Sequence, residues 1–234
     1  MKKTTFGRVT AAALTTAVLL ATAACGGDES AAGDEGPAPL TETQLLAAAL
    51  AEGDIGAYTS EEPYGEDGPL SDTYTARPEV CQPLVGLAEG ATPHDAAAEV
   101  ARDVSDPNAE PAVDIDLRLR SYTAEDATAV MKAFGEAGEK CADGFTEDRA
   151  LAEAKVLRVE TLEAPALGDE ALAFRITMQD VKDDSLKLYE YLTVIRSGTT
   201  TLSFRAEPVG TEDFGGVPQD VVDAQWEKFR RTTP

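Results

Sequence analysis

A single histidine, His94, stands among 234 residues, and the chain contains no CxxC or HxxxH spacing. That removes the usual ligand sets for zinc, and no metal or other cofactor is expected. Asp106-Pro107-Asn108-Ala109-Glu110 alternates oxygen side chains as a calcium loop does, but it lacks the glycine and the distant glutamate of an EF-hand. His94 has no nucleophile or orienting acid at a telling spacing and reads as a surface residue. The sequence also lacks G-x-S-x-G, H-E-x-x-H, a P-loop and a dinucleotide fingerprint, so no enzyme activity is expected and no catalytic residue is assigned. Basic residues are few. Twenty Lys and Arg stand against 43 Asp and Glu, a net charge of −23. A chain this acidic repels nucleic acid and anionic head groups, which excludes a DNA- or RNA-binding role. Solubility of an exported protein accounts for most such acidity. Long apolar runs are missing as well. The run from about Val9 to Ala21 is shorter than the ~20 residues that a membrane-spanning helix needs.

What is present at the start is a leader. Lys2, Lys3 and Arg8 precede the short apolar run, and Ala23 and Ala24 precede Cys25. A charged start, a short apolar core and a small-residue exit are the parts of a secretory signal. Ala23-Ala24-Cys25-Gly26-Gly27 is similar to a bacterial lipobox, with Thr22 departing from the usual leucine. That similarity implies a diacylglycerol on the Cys25 sulfur, cleavage before it, an acylated amino terminus, and a protein held at the outer face of the cell membrane. Two or more chains anchor stably, at about 0.8 kcal/mol per buried methylene. The other reading is an ordinary signal peptide in which Cys25 is incidental. Loss of residues 1–24 removes three positive charges and takes the net charge from −23 to −26.

Of the three cysteines, Cys81 and Cys141 remain once Cys25 carries lipid. Two cysteines in an exported protein most simply pair; the alternative is two buried thiols. A bond would close a loop of about 60 residues and contribute roughly 4 kcal/mol at most.

Residues 25–39 are small, acidic and rich in Pro and Gly, a disordered tether that would hold the rest about 20 Å from a bilayer. Residues 40–231 read as a single α+β domain. Thr41 caps a helix with Gln44 completing a capping box; the helix carries Leu45, Leu46, Ala49 and Leu50 and stops near Gly53. Residues 54–77 form a long acidic loop with Tyr58, Tyr64 and Tyr74. It is either solvated surface, a rim over a cleft, or a contact for a basic protein partner. Cys81 opens a short apolar segment, and Thr92-Pro93-His94-Asp95 opens a short alanine-rich helix over Ala96 to Ala101. Val113 to Arg120 alternates strictly: Val113, Ile115, Leu117 and Leu119 face one way and Asp114, Asp116, Arg118 and Arg120 the other, a strand with one wet face. Thr123 caps a helix with Ala127, Val130, Met131, Phe134 and Cys141 on its buried stripe, and Gly135 and Gly138 permit close packing.

Four strands follow. Lys155 to Leu162 is the first, and Leu172, Phe174, Ile176 and Met178 mark one face of the second. Leu186 to Arg196, apolar on both faces, is a central strand, and Thr200 to Ala206 follows the Ser197-Gly198 turn. Pro218 starts a last helix with Val222, Trp226 and Phe229 on its apolar stripe. The expectation is a twisted antiparallel sheet of about five strands packed by three to four helices, with one disulfide between segments.

Four stretches, Leu40-Thr41-Glu42-Thr43-Gln44-Leu45, Cys81-Gln82-Pro83-Leu84, Tyr122-Thr123-Ala124-Glu125-Asp126-Ala127 followed by Cys141, and Leu167-Gly168-Asp169-Glu170-Ala171, together resemble the PknH-like extracellular sensor domain. It occurs on mycobacterial Ser/Thr kinases and in actinobacterial lipoproteins. The resemblance implies a twisted antiparallel sheet packed by helices, a cleft, and a disulfide matching Cys81–Cys141. The kinase form has a second disulfide, and neither a kinase domain nor a membrane helix is found in this sequence, so no signalling link and no ligand carries over. The function expected is a lipid-anchored extracytoplasmic binding or sensing module, with Tyr189, Tyr191, Arg175 and Arg205 as cleft residues for a small molecule or envelope fragment. The alternative is an envelope protein-interaction or scaffold lipoprotein acting through its acidic surface.

Overall fold

Thr41 sets where ordered helix begins. In the computed structural model, which describes residues 37–63, 74–89, 94–149 and 152–233, its side chain accepts from the Gln44 amide while the Gln44 side chain accepts from the Thr41 amide. That reciprocal capping box satisfies two of the amide groups left over at a helix start. It opens α1 (Glu42–Ala48), which ends one turn before Gly53. Two short strands follow, β1 (Thr59–Glu61) and β2 (Thr75–Arg77). A 3₁₀ turn (Glu79–Cys81) then runs directly into α2 (Gln82–Glu89). Next come β3 (Ala98–Ser105), β4 (Val113–Ser121) and α3 (Ala124–Lys140), the last capped by Thr123. The chain closes with β5 (Phe145–Arg149), β6 (Ala152–Thr161), β7 (Glu170–Gln179), β8 (Lys187–Ser197), β9 (Thr200–Pro208) and α4 (Gln219–Thr232).

All nine strands form one sheet, in the order β1-β3-β4-β9-β8-β7-β6-β5-β2, and every neighbouring pair is antiparallel. β8 is the middle strand, as its two apolar faces require. Leu192 and Val194 enter a core with α2 and α3, and Tyr191 and Ile195 enter a second core with α1 and α4. The sheet is therefore the central layer of a three-layer arrangement. On one face α3 sets Ala127, Val130, Met131 and Phe134 against Phe174, Ile176 and Met178 of β7. On the other, Leu45 and Ala48 of α1 and Val222 and Phe229 of α4 meet Leu117, Leu202 and Phe204. Gln225 ties the two helices of that layer together: it is fully buried, accepts from the Leu50 amide at 2.9 Å and donates to the Ala48 carbonyl at 2.8 Å.

The sheet corrects the expectation of about five strands. Four of the nine, β1, β2, β3 and β5, lie where the sequence showed no strand. Residues 98–101 of the expected alanine-rich helix belong to β3; Thr92 and Pro93 lie outside the described residues. Val100 and Val104, its buried residues, are four apart, a spacing that shares a face in a helix and in a strand alike. Pairing along the whole of β4 decides the matter, an override of local propensity by tertiary contact. In β5 the core-facing positions are Phe145 and Glu147, and the glutamate, 2% exposed, hides the alternation. β1 and β2 are three residues each, too short for a pattern, and they lie within the expected acidic loop, whose residues 64–73 are outside the described set.

Cys81 and Cys141 are bonded, with Cα atoms 5.9 Å apart. The bond joins the 3₁₀ turn before α2 to the C-cap of α3. Among the described residues no helix is long and apolar enough to cross a membrane.

Candidate functional site

β4 alternates apolar residues with Asp114, Asp116, Arg118 and Arg120, and its register carries those charges into a row across the sheet. Asp116 lies between Asp103 of β3 and Arg205 of β9, and Arg120 lies beside Glu99. The ion pairs follow that register. Glu99 receives Arg120 Nε at 3.0 Å and Arg118 Nη1 at 3.1 Å, and Asp116 receives Arg118 Nε at 3.3 Å. Arg205 reaches Glu190 of β8 at 2.5 Å and Glu207 at 2.8 Å. Burial pushes the Glu99 carboxyl up, but the hydrogen bonds and charges of Arg120 and Arg118 outweigh it and hold the group below the ordinary glutamate range. The side chains of Arg205 and Glu190 are 4% and 7% exposed. Ions buried this far are retained only with good partner geometry.

Beside this row the sheet carries a groove of about 510 Å³, lined by Asp103 of β3, by Asp114 and Asp116 of the middle strand β4, and by Arg205, Glu207 and Pro208 of β9. A groove of this size holds a small ligand, whereas typical drug-like sites are mostly apolar; this lining suits a polar one. A second groove of about 660 Å³ is lined by Leu157–Thr161 of β6 and by Gly138 of α3 and Ala142 just after it.

The opposite face holds a different constellation. Arg175 of β7 stands beside Tyr191 of β8 and Glu160 of β6. Glu160 receives Arg175 Nη2 at 2.6 Å and also Arg158 at 3.3 Å. The segment between β9 and α4 lays Asp213 over these strands. Its carboxylate accepts from Arg175 Nη1 at 2.7 Å, from the Tyr191 hydroxyl, and from the Gly215 amide at 3.1 Å. Phe214 packs on the Tyr191 ring edge to face, with centroids 4.5 Å apart. Burial, then the Asp213 carboxylate, push the Tyr191 phenol up to about 12. The Tyr191 hydroxyl in turn holds Asp213 below the ordinary aspartate range.

Tyr189, Tyr191 and Arg175 thus share the α1 and α4 face, while Arg205 is on the α2 and α3 face. The sheet does not bring the four together. Parity along β7 was legible, since Arg175 is out of step with Phe174 and Ile176. The side taken by Arg205 needed the β8–β9 register. Asp103, Asp116, Glu190 and Glu207 around Arg205, and Glu160, Asp213 and Phe214 around Tyr191, went unassigned, because acidic residues occur throughout the sequence. His94 is half-buried and meets Asp126 of α3 at 2.9 Å, a tie between the start of β3 and the α3 N-terminus. Cys25 lies outside the described residues. Among those residues no three His, Cys, Asp or Glu side chains are placed to hold a metal.

This nine-stranded antiparallel sheet between two helical layers has a counterpart among solved structures. The extracellular domain of PknH from Mycobacterium tuberculosis superposes with a TM-score of 0.53 at 12% identity, covering 83% of this chain and 97% of that one. An uncharacterized Mycobacterium smegmatis protein, a Rv0999 ortholog, gives a TM-score of 0.37 at 11% identity over 75% of this chain and 90% of its own. No family model matches the sequence, and no curated protein is similar to it in sequence. The likeness to PknH is one of fold.

Proposed function

We propose that this chain is an exported binding module, anchored by lipid on Cys25 at the outer face of the cell membrane, whose ligand surface is the charged groove of β3, β4 and β9. The groove itself carries the reading: about 510 Å³ of space on a rigid sheet, with Arg205 fixed at its wall by Glu190 and Glu207. Sites on strands held by their own ion pairs are pre-organised for binding. The extracellular placement of the PknH domain and the leader of this sequence both support export. The ligand is a polar small molecule or envelope fragment, and the role is binding rather than catalysis.

Two measurements test this. Native mass spectrometry of the full chain purified from its own membranes should show a discrete added mass, reduced in Asp103→Asn and Asp116→Asn. A bare mass overturns the groove as a ligand site and favours protein interaction through the acidic surface. Growth on labelled palmitate should label the wild type and leave Cys25→Ser unlabelled; equal labelling of both removes the anchor.

A further inference from the structure

The cradle that holds Asp213 has the make-up of a recognition site. Its parts sit on two different kinds of structure. Arg175 and Tyr191 lie on neighbouring central strands, Tyr191 is 1% exposed, and Arg175 is oriented by Glu160 through both Nε at 3.0 Å and Nη2 at 2.6 Å. What they hold belongs to an irregular segment, residues 209–218, with no helix or strand of its own. That segment turns at Gly215 with φ +92, a backbone region favoured by glycine. A Cβ on Gly215 would meet nothing within 4 Å, so packing does not demand the glycine; the turn does.

The chemistry of the contact is specific in two respects. A carboxylate sits against a guanidinium and a phenol hydroxyl, and the next residue supplies an aromatic ring to the Tyr191 ring. Charge-assisted hydrogen bonds to Arg are about twice as strong as neutral ones, and aromatic pairs add about 0.5–1.5 kcal/mol beyond area burial. Among the described residues, Glu160 pairs with both Arg158 and Arg175, so withdrawal of Asp213 leaves two guanidinium groups on one carboxylate in this cluster, within a chain of net charge −23.

We propose that Tyr191 and Arg175 form a docking site for an extended peptide bearing an acidic residue immediately before an aromatic one, and that Asp213-Phe214 of the chain itself occupies it as an intramolecular competitor. The site lies on the opposite face of the sheet from the charged groove and stands independently of it. A tethered occupant has an effective concentration on the order of millimolar. An external segment of the same chemistry therefore binds only when it exceeds that competition or when the strap is displaced.

The test uses the full chain and a fluorescein-labelled peptide, Thr-Glu-Asp-Phe-Gly-Gly, the sequence of residues 211–216. Fluorescence anisotropy should show the peptide binding the D213A/F214A chain at least tenfold more tightly than the wild type. Replacing its aspartate by asparagine, or adding Tyr191→Phe to the chain, should weaken binding at least tenfold. Absence of binding to a D213A/F214A chain that still melts cooperatively overturns the proposal. Should that variant fail to fold, hydrogen exchange of the wild type decides instead. Amides of residues 210–216 should exchange by local opening, at rates insensitive to low urea. Exchange of those amides only in step with β8 and β9 overturns it.

Discussion

Gly138 of α3 lies so close to the ring of Phe174 on β7 that a Cβ at this position would overlap the ring. Gly135, one turn earlier, is different, for its Cβ would sit 3.5 Å from Leu172 Cδ1, an ordinary contact. The two glycines therefore have opposite meanings. Gly138→Ala forces the helix off the sheet and should destabilise by about 1–3 kcal/mol, the usual cost of overpacking. Gly135→Ala should stabilise by about 0.5–1 kcal/mol through helix propensity. Urea titrations of the two single variants check both signs, and equal effects would remove the close contact as the explanation.

The Cys81–Cys141 bond closes a loop of sequence separation 60 and pins α3 to the turn that begins α2. Constraint of the unfolded chain by such a loop is worth about 4 kcal/mol. Cys141→Ser should lower stability by about that amount, and dithiothreitol should have the same effect on the wild type but none on the variant. A wild-type denaturation midpoint unmoved by reductant would show that the helices hold this region without the bond.

Much of this architecture was legible because local signals agreed with tertiary demand. Thr41 with Gln44, Thr123 before Ala127 and Val130, and Leu172, Phe174, Ile176 and Met178 each gave a period or a cap that the fold retains. Legibility failed where the deciding interaction is distant. β3 is a strand because β4 is beside it; Val100 and Val104 fit either period. α2 follows a 3₁₀ turn and a proline and carries no cap that a reader would notice. The charged row was half visible. The alternation puts Arg118 and Arg120 on a wet face, yet Arg120 is 1% exposed, because Glu99, its register partner on the neighbouring strand β3, neutralises it. No spacing along one strand announces a partner on another.

Arg205 and Glu190 test whether the groove wall is held by charge. Arg205→Met removes the guanidinium from a buried carboxylate, and breaking a buried pair from one side costs about 3–5 kcal/mol. Replacing both residues by apolar ones of similar volume should recover most of that loss, since the desolvation cost disappears with both charges. Chemical denaturation of Arg205→Met and of Arg205→Met with Glu190→Leu measures the difference. A double variant as unstable as the single one would mean that Glu190 contributes nothing beyond its volume.

The two ends of the pH scale are governed by different faces of the sheet. Glu99 has a folded pKa below the ordinary glutamate value of 4.5, because Arg120 and Arg118 together outweigh burial. A depressed carboxylate contributes stability that is present above its unfolded pKa and lost as pH falls through the folded one. The denaturation midpoint should therefore drop below about pH 4.5, and Glu99→Gln should be less stable at pH 7 and flatter over that acid range. Tyr191 has the reverse sign. Its folded pKa is raised from 10.0 to about 12, so its contribution is complete below pH 10 and is lost between pH 10 and about 12. Tyr191→Phe should lack that alkaline loss. Midpoints in urea at intervals from pH 3 to 7 and from pH 9 to 12 check both limbs. An alkaline limb unchanged in Tyr191→Phe would mean that the phenol does not carry the burial and the Asp213 contact that raise its pKa.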